Sequence, residues 1–225
     1  MTITNHHANY PGFAGVTGLL TGFIMTMAGG STARLVADLA DLSAADRVID
    51  VGCGPGTAVR EAARRGARAI GVDPAPVMLR LAGTLTRDRA AVTWAAGTAE
   101  DLRQPDGSAT VLWSIATVHH WSDVTAGLAE ARRVLAPGGR LFAIERRVRP
   151  GATGLASHGW TNQQAQAFAA QCRAAGFDDV RVERHTPGRR AVYVVRAIRP
   201  RPVHHGDEAN ALADPDGRGT NRHDW

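Results

Sequence analysis

The chain has 225 residues, enough for one α/β domain with a full core and short for two. Its formal charge of +5 comes from 26 basic residues, all arginine, and no cluster of them is interleaved with aromatics, which argues against a nucleic-acid-binding face. Its two cysteines, Cys53 and Cys172, have no metal-ligand spacing and exclude a disulfide framework, so a reducing, cytoplasmic setting is expected.

Residues 1–33 carry no formally charged side chain and include an apolar run from Phe13 to Met25. The missing basic n-region argues against a signal peptide. Gly18 and Gly22 form a G-x-x-x-G pair, as in membrane helices, but threonines and glycines interrupt the run, so stable membrane insertion is not expected. Residues 1–30 read as an apolar lid over a ligand pocket, with a plain helix packed on the sheet as the alternative. Ser31 is placed to cap a helix to about Ala40, with Leu35, Val36 and Leu39 on one face.

Arg47 to Val51 reads as the first strand. It runs into Gly52-Cys53-Gly54-Pro55-Gly56-Thr57, three glycines at alternate positions, and then an Ala-rich helix to about Arg65 with Gly66 at its C′ position. Glycines at such a turn let a ligand approach the backbone, and the helix that follows turns its free N–H groups toward it. Asp50, at the strand's C-terminal edge, is placed to meet a cationic group. A nucleoside-bearing ligand not held by its phosphates suits this turn. The dinucleotide fingerprint G-x-G-x-x-G fits less well, because Thr57 stands where its third glycine belongs, yet a dinucleotide-dependent oxidoreductase remains an alternative.

Ala67 to Val72 is the second strand, and Asp73 follows it where a carboxylate can accept both hydroxyls of a ribose. A helix over about Pro76 to Thr86 shows Val77, Leu81 and Leu85 at helical spacing. Strands follow at Ala91 to Ala96 and Ala109 to Ser114, then a helix from Ser122 to Leu135 closed by Pro137-Gly138-Gly139, and a fifth strand from Arg140 to Glu145. Such strand–helix alternation calls for a parallel sheet covered on both faces. Thr161-Asn162-Gln163-Gln164 is a capping box opening a further helix. Val180 to Arg184 and Ala191 to Ile198, linked through Pro187-Gly188, are too close for a right-handed parallel crossover but can pair antiparallel. Residues 199–225 lack apolar periodicity and read as a disordered tail whose histidines are solvated; no metal site is expected.

The run Asp50-x-Gly52-x-Gly54-x-Gly56 resembles motif I of the class I S-adenosylmethionine (SAM)-dependent methyltransferases. Asp73, the loop Gly97 to Ser108, the segment Ser114 to Trp121 and the run Glu130 to Leu141 resemble that family's later motifs in the same order. The pattern is similar to that of the ubiquinone/menaquinone-methyltransferase-like group. The resemblance covers about 31–198. It implies an α/β fold, a doubly wound seven-stranded, mostly parallel sheet of order 3-2-1-4-5-7-6 with strand 7 antiparallel, in a three-layer sandwich. It also implies SAM as cofactor, bound by Asp50, Gly52, Cys53, Gly54, Gly56, Asp73, Thr98, Ala99, Glu100 and Ser114. Ala99 would offer its N–H to the adenine and Glu100 its carboxylate, with Asp101 as an outside candidate. Thr98 and Arg103-Gln104 depart from the family's usual residues.

His119 and His120 would lie beside the methyl acceptor, where an imidazole can serve as a base. With the N-terminal stretch and the Arg146 to Trp160 loop, they would line a pocket for a small, largely apolar acceptor with an anionic or phenolic end near the arginines. The same motifs are also compatible with a protein- or nucleic-acid-modifying methyltransferase and with a non-catalytic SAM-binding protein.

Overall fold

The computed structural model describes residues 29–87 and 90–202. Nearly all of the expected lid, and the expected tail beyond 202, lie outside the described residues.

Helix α1 (29–39) precedes β1 (Arg47–Val51), α2 (Thr57–Arg64), β2 (Arg68–Asp73), α3 (Pro76–Leu85), β3 (Val92–Ala96) and β4 (Ala109–Ile115). A short 3-10 turn, Val118–His120, leads to α4 (Val124–Val134), β5 (Leu135–Arg146), α5 (Asn162–Ala174), β6 (Asp178–His185) and β7 (Val192–Ile198). The seven strands form one sheet in the order β3-β2-β1-β4-β5-β7-β6. β1 to β5 pair in parallel, whereas β7 pairs antiparallel with both β5 and β6. This is the topology expected from the sequence.

Two apolar layers sandwich the sheet because its central strands alternate their side chains between two helical faces. Val48, Val111, Trp113, Phe142 and Ile144 join Val36 of α1 and Val59 of α2 on one face. Ile49, Leu112, Leu141 and Ala143 join Leu128 of α4 and Phe168 of α5 on the other. Edge strand β6 is charged and half exposed, which blunts its free backbone edge.

Three local expectations are corrected. Ser31 does not cap α1: it lies within the helix, and its hydroxyl donates to Pro187 O at 3.2 Å. In α3 the buried residues are Met78 and Ala82, while Leu85 is 40% exposed, so the core-facing stripe runs one residue away from Val77-Leu81-Leu85. Strand β5 begins at Leu135 rather than Arg140. Leu135 pairs with Ala109 straight after α4, and the register then shifts, so that Ala136 to Gly139 form a bulge with Gly138 at φ +79°. The capping box at Thr161 and Gln164 is present as expected.

Candidate active site

The C-terminal ends of β1, β2, β3, β4 and β5 define one edge of the sheet, and the order reverses between β1 and β4, the crevice where ligands bind in doubly wound sheets. The candidate cofactor-binding and catalytic residues all fall on or beside this edge.

The glycine turn adopts left-handed backbone at Gly52, Gly54 and Gly56, with φ of +70°, +51° and +78°. At two of the three the chain's own side chains take up the space. A Cβ on Gly52 would lie 2.6 Å from Thr117 Cγ2, and one on Gly56 would overlap the Trp94 ring, coming 2.7 Å from Cζ3. Trp94 is the register partner of Gly71, where a Cβ would meet the same ring and Cys53 Sγ at 2.8 Å. The expectation that the glycines serve ligand approach is therefore incomplete, since Gly52 and Gly56 first admit Thr117 and Trp94.

Asp73 accepts hydrogen bonds from Gly54 N and Ala75 N, each at 2.8 Å, so one carboxylate ties the glycine turn to the start of α3. Burial pushes its carboxyl up, against the pull of those two N–H groups. Asp50 is 3% exposed and has no ion-pair partner among the described residues. Burial pushes it up to about 7, and the nearby charge of Asp73 adds to this. The Trp113 indole, in register beside it, opposes the shift without completing a hydrogen bond. Cys53 is also buried, and burial together with both carboxylates holds its thiol well above its ordinary value, so it is neutral and no nucleophile. On the first residue of α2, the buried Thr57 hydroxyl has no partner among the described residues.

Residues 98–101 fold into a tight bridge, with Thr98 N donating to Asp101 O and Asp101 N to Thr98 O. Ala99 is buried, Thr98 is exposed, and Glu100 accepts from Asp123 N at 3.0 Å, joining this loop to the N-cap of α4. Asp101 is paired with Arg103 instead.

Beyond β4 the chain reverses through Ala116 at φ +56°. Ser114 and Thr117 hydroxyls lie 2.5 Å apart, and Thr117 donates to Val51 O, so Ser114 is the donor to Thr117. Val118 and Trp121 are buried and anchor the 3-10 turn between them, and Gly127 leaves room for the Trp121 ring on α4. The turn presents His119 and His120 at the edge, with ring centroids 4.0 Å apart. His119 Nδ1 lies 3.0 Å from both carboxylate oxygens of Glu145, the penultimate residue of β5, which is 1% exposed. His158 stacks on His119 at 5.5 Å.

Sequence reasoning missed Glu145, Trp94, Thr117 and His158. For Glu145 a signal existed: like Asp50 and Asp73, it is an acid at the C-terminal end of an otherwise apolar strand. His158, brought in by the Arg146 to Trp160 loop, had none.

The fold is the one found in solved SAM-dependent methyltransferase structures. Residues 49–143 match the family model described as "Methyltransferase domain", the segment from β1 into β5 that carries most of this edge. A demethylmenaquinone methyltransferase of Tropheryma whipplei is 35% identical over 112 residues, 50% of this chain and 46% of that protein. A ubiquinone biosynthesis O-methyltransferase of Agrobacterium fabrum is 34% identical over 98 residues, 43% of this chain and 39% of its own length. The chain thus spans less than half the length of these relatives. Among solved structures, a SAM-dependent methyltransferase from Aquifex aeolicus superposes with a TM-score of 0.62 at 18% identity, over 74% of this chain and 88% of that one. No helix among the described residues is long and apolar enough to cross a membrane, and no cluster of potential metal ligands occurs among them.

Proposed function

We propose that the chain is a SAM-dependent methyltransferase acting on a small, largely apolar acceptor. The observation that carries this reading is the coincidence of the methyltransferase-domain match, residues 49–143, with the edge that gathers Asp50, the glycine turn, Asp73 and the 98–101 bridge. Two buried carboxylates lacking a cationic partner fit a cofactor with ammonium and sulfonium charges better than a pyrophosphate. When bound, SAM supplies a methyl group already activated on sulfur.

Asp73 holds the ribose hydroxyls through lone pairs left over from Gly54 and Ala75. Gly52, Cys53 and Gly54 supply backbone along the amino-acid portion, with Ser114 beside it, and Asp50 answers its positive charge. Thr98, Ala99 and Glu100 flank the adenine. His119, its Nδ1–H held by Glu145, keeps Nε2 as an acceptor for the proton of an incoming hydroxyl. His120 packs against that ring as an alternative base. Catalysis otherwise rests on alignment of acceptor and methyl group and on exclusion of water. The quinone names of the two relatives support a small acceptor. A protein- or nucleic-acid substrate is not favoured, and the expected setting is cytoplasmic.

Calorimetry with SAM, S-adenosylhomocysteine and NAD tests the cofactor: the first two bind and NAD does not. Radiolabelled SAM incubated with cell extract tests the acceptor. Label entering organic solvent supports a small apolar molecule; label confined to protein or nucleic acid refutes it.

A further inference from the structure

A concavity of 330 Å³ opens beside the active edge, lined by Arg146, Arg147, Arg149 and Arg190 together with Val148 and Ala191. Its place follows from the sheet: Arg146 ends β5 and pairs with Val192, the first residue of β7, so the pocket stands at the same edge as Glu145 and His119. The backbone beneath it is pinned. Arg147 N donates to Ala191 O at 2.8 Å, Val148 N to Trp160 O at 2.9 Å, and Trp160 N to Arg146 O at 2.8 Å. Gly159 is pressed so close to the Arg146 carbonyl that a Cβ would overlap it. Arg146 and Arg147 therefore project from a fixed frame, with Arg149 and Arg190 on the chain just beside it.

Three of the four charges are uncompensated among the described residues. Arg146 donates to His158 O, whereas the side chains of Arg147, Arg149 and Arg190 meet no carboxylate among the described residues. Several arginines elsewhere are matched by carboxylates: Arg65 by Asp38 and Glu61, Arg133 by Asp106 and Glu130, Arg140 by Asp46, Arg196 by Asp179 and Glu183. Like charges gathered in one concavity repel one another unless an anion joins them. Planar guanidinium forks match phosphate oxygens two at a time, and several of them together suit a polyanion better than a single carboxylate.

We propose that this pocket binds a phosphate or diphosphate group, carried by the methyl acceptor, and so fixes which end of the acceptor faces His119. The proposal deepens the functional reading and rests on it only for the molecule that bears the anion; the pocket itself is tested without SAM.

The full chain is titrated calorimetrically with pyrophosphate at low ionic strength, then as the Arg149→Ala/Arg190→Ala variant and the Arg149→Lys/Arg190→Lys variant. SAM binding is measured on all three. The expected result is one pyrophosphate site, weakened ~10-fold or more by the alanines and less by the lysines, which keep charge but lose the fork, with SAM affinity unchanged. Failure of wild type to bind pyrophosphate, or equal binding by the alanine variant, overturns the proposal whether or not SAM binds. Arginine-dependent binding to phosphatidylglycerol vesicles without binding to soluble pyrophosphate also overturns it, because the arginines would then be reading a membrane surface.

Discussion

Trp94 lies across Gly56. The β3 indole fills the volume a side chain on that glycine would need, and the glycine's left-handed backbone closes the turn over it. The third glycine of the turn is thus also a packing residue.

Gly56→Ala should therefore unfold more easily than wild type even without ligand. Left-handed strain costs about 1–2 kcal/mol, and displacing the ring adds a comparable amount. In urea denaturation, a double-mutant cycle with Trp94→Ala should show coupling, the alanine at 56 costing less once the ring is gone. Additive effects would mean that the ring is not what excludes the side chain.

Asp50 gives a pH signature. With its folded-state pKa raised to about 7, the folded protein holds a proton that the unfolded chain releases near 3.8. Its contribution to stability is fully present below about pH 4 and is lost as pH rises through about 7, for a total of about 4 kcal/mol. Asp50→Asn should flatten the pH dependence of urea unfolding across that window and be the more stable form at pH 8. A variant whose profile follows wild type would show that Asp50 is not the titrating group.

Asp73→Ala should weaken SAM binding by about 1.5–3 kcal/mol, the loss of a charge-assisted hydrogen bond. The same change frees Gly54 N and Ala75 N, so circular dichroism must accompany the calorimetry. A folded variant that binds SAM as tightly as wild type would remove Asp73 from the ribose.

His119→Ala should lower kcat by about 10²-fold or more while SAM affinity holds, as expected for loss of a general base. Glu145→Gln keeps the shape but accepts the imidazole proton with one neutral oxygen, so it should lower kcat less than His119→Ala and change the pH–rate profile. Unchanged turnover in His119→Ala would exclude the base role and pass it to His120.

Much of this was legible in the chain because its cues are local. The alternation of apolar runs with glycine turns fixes a parallel sheet, and the short link around Pro187-Gly188 forces β6 and β7 into an antiparallel pair. The residues proposed for the cofactor cluster around strand ends that sequence patterns mark well. What escaped was tertiary. Thr117 and Trp94 take up the space above Gly52 and Gly56, one from the turn after β4 and the other from β3, and nothing near the glycines announces them. The Glu145–His119 pair joins residues 26 positions apart, and His158 reaches it on a loop without periodicity. Ser31 looked like a cap because the sequence shows a preferred N-cap residue but not that Gly29 and Gly30 before it are already helical.

The position of β7 bears on biosynthesis. Of the described strands, the one made last is wedged between β5 and β6, so β6 has no neighbour in the sheet until residues 192–198 arrive. During translation β1 to β5 can assemble first, but the β7–β6 side of the sheet stays open until Ile198 has emerged. The wall carrying Arg190 and the β7 partner strand of Glu145 are completed together, in that one step.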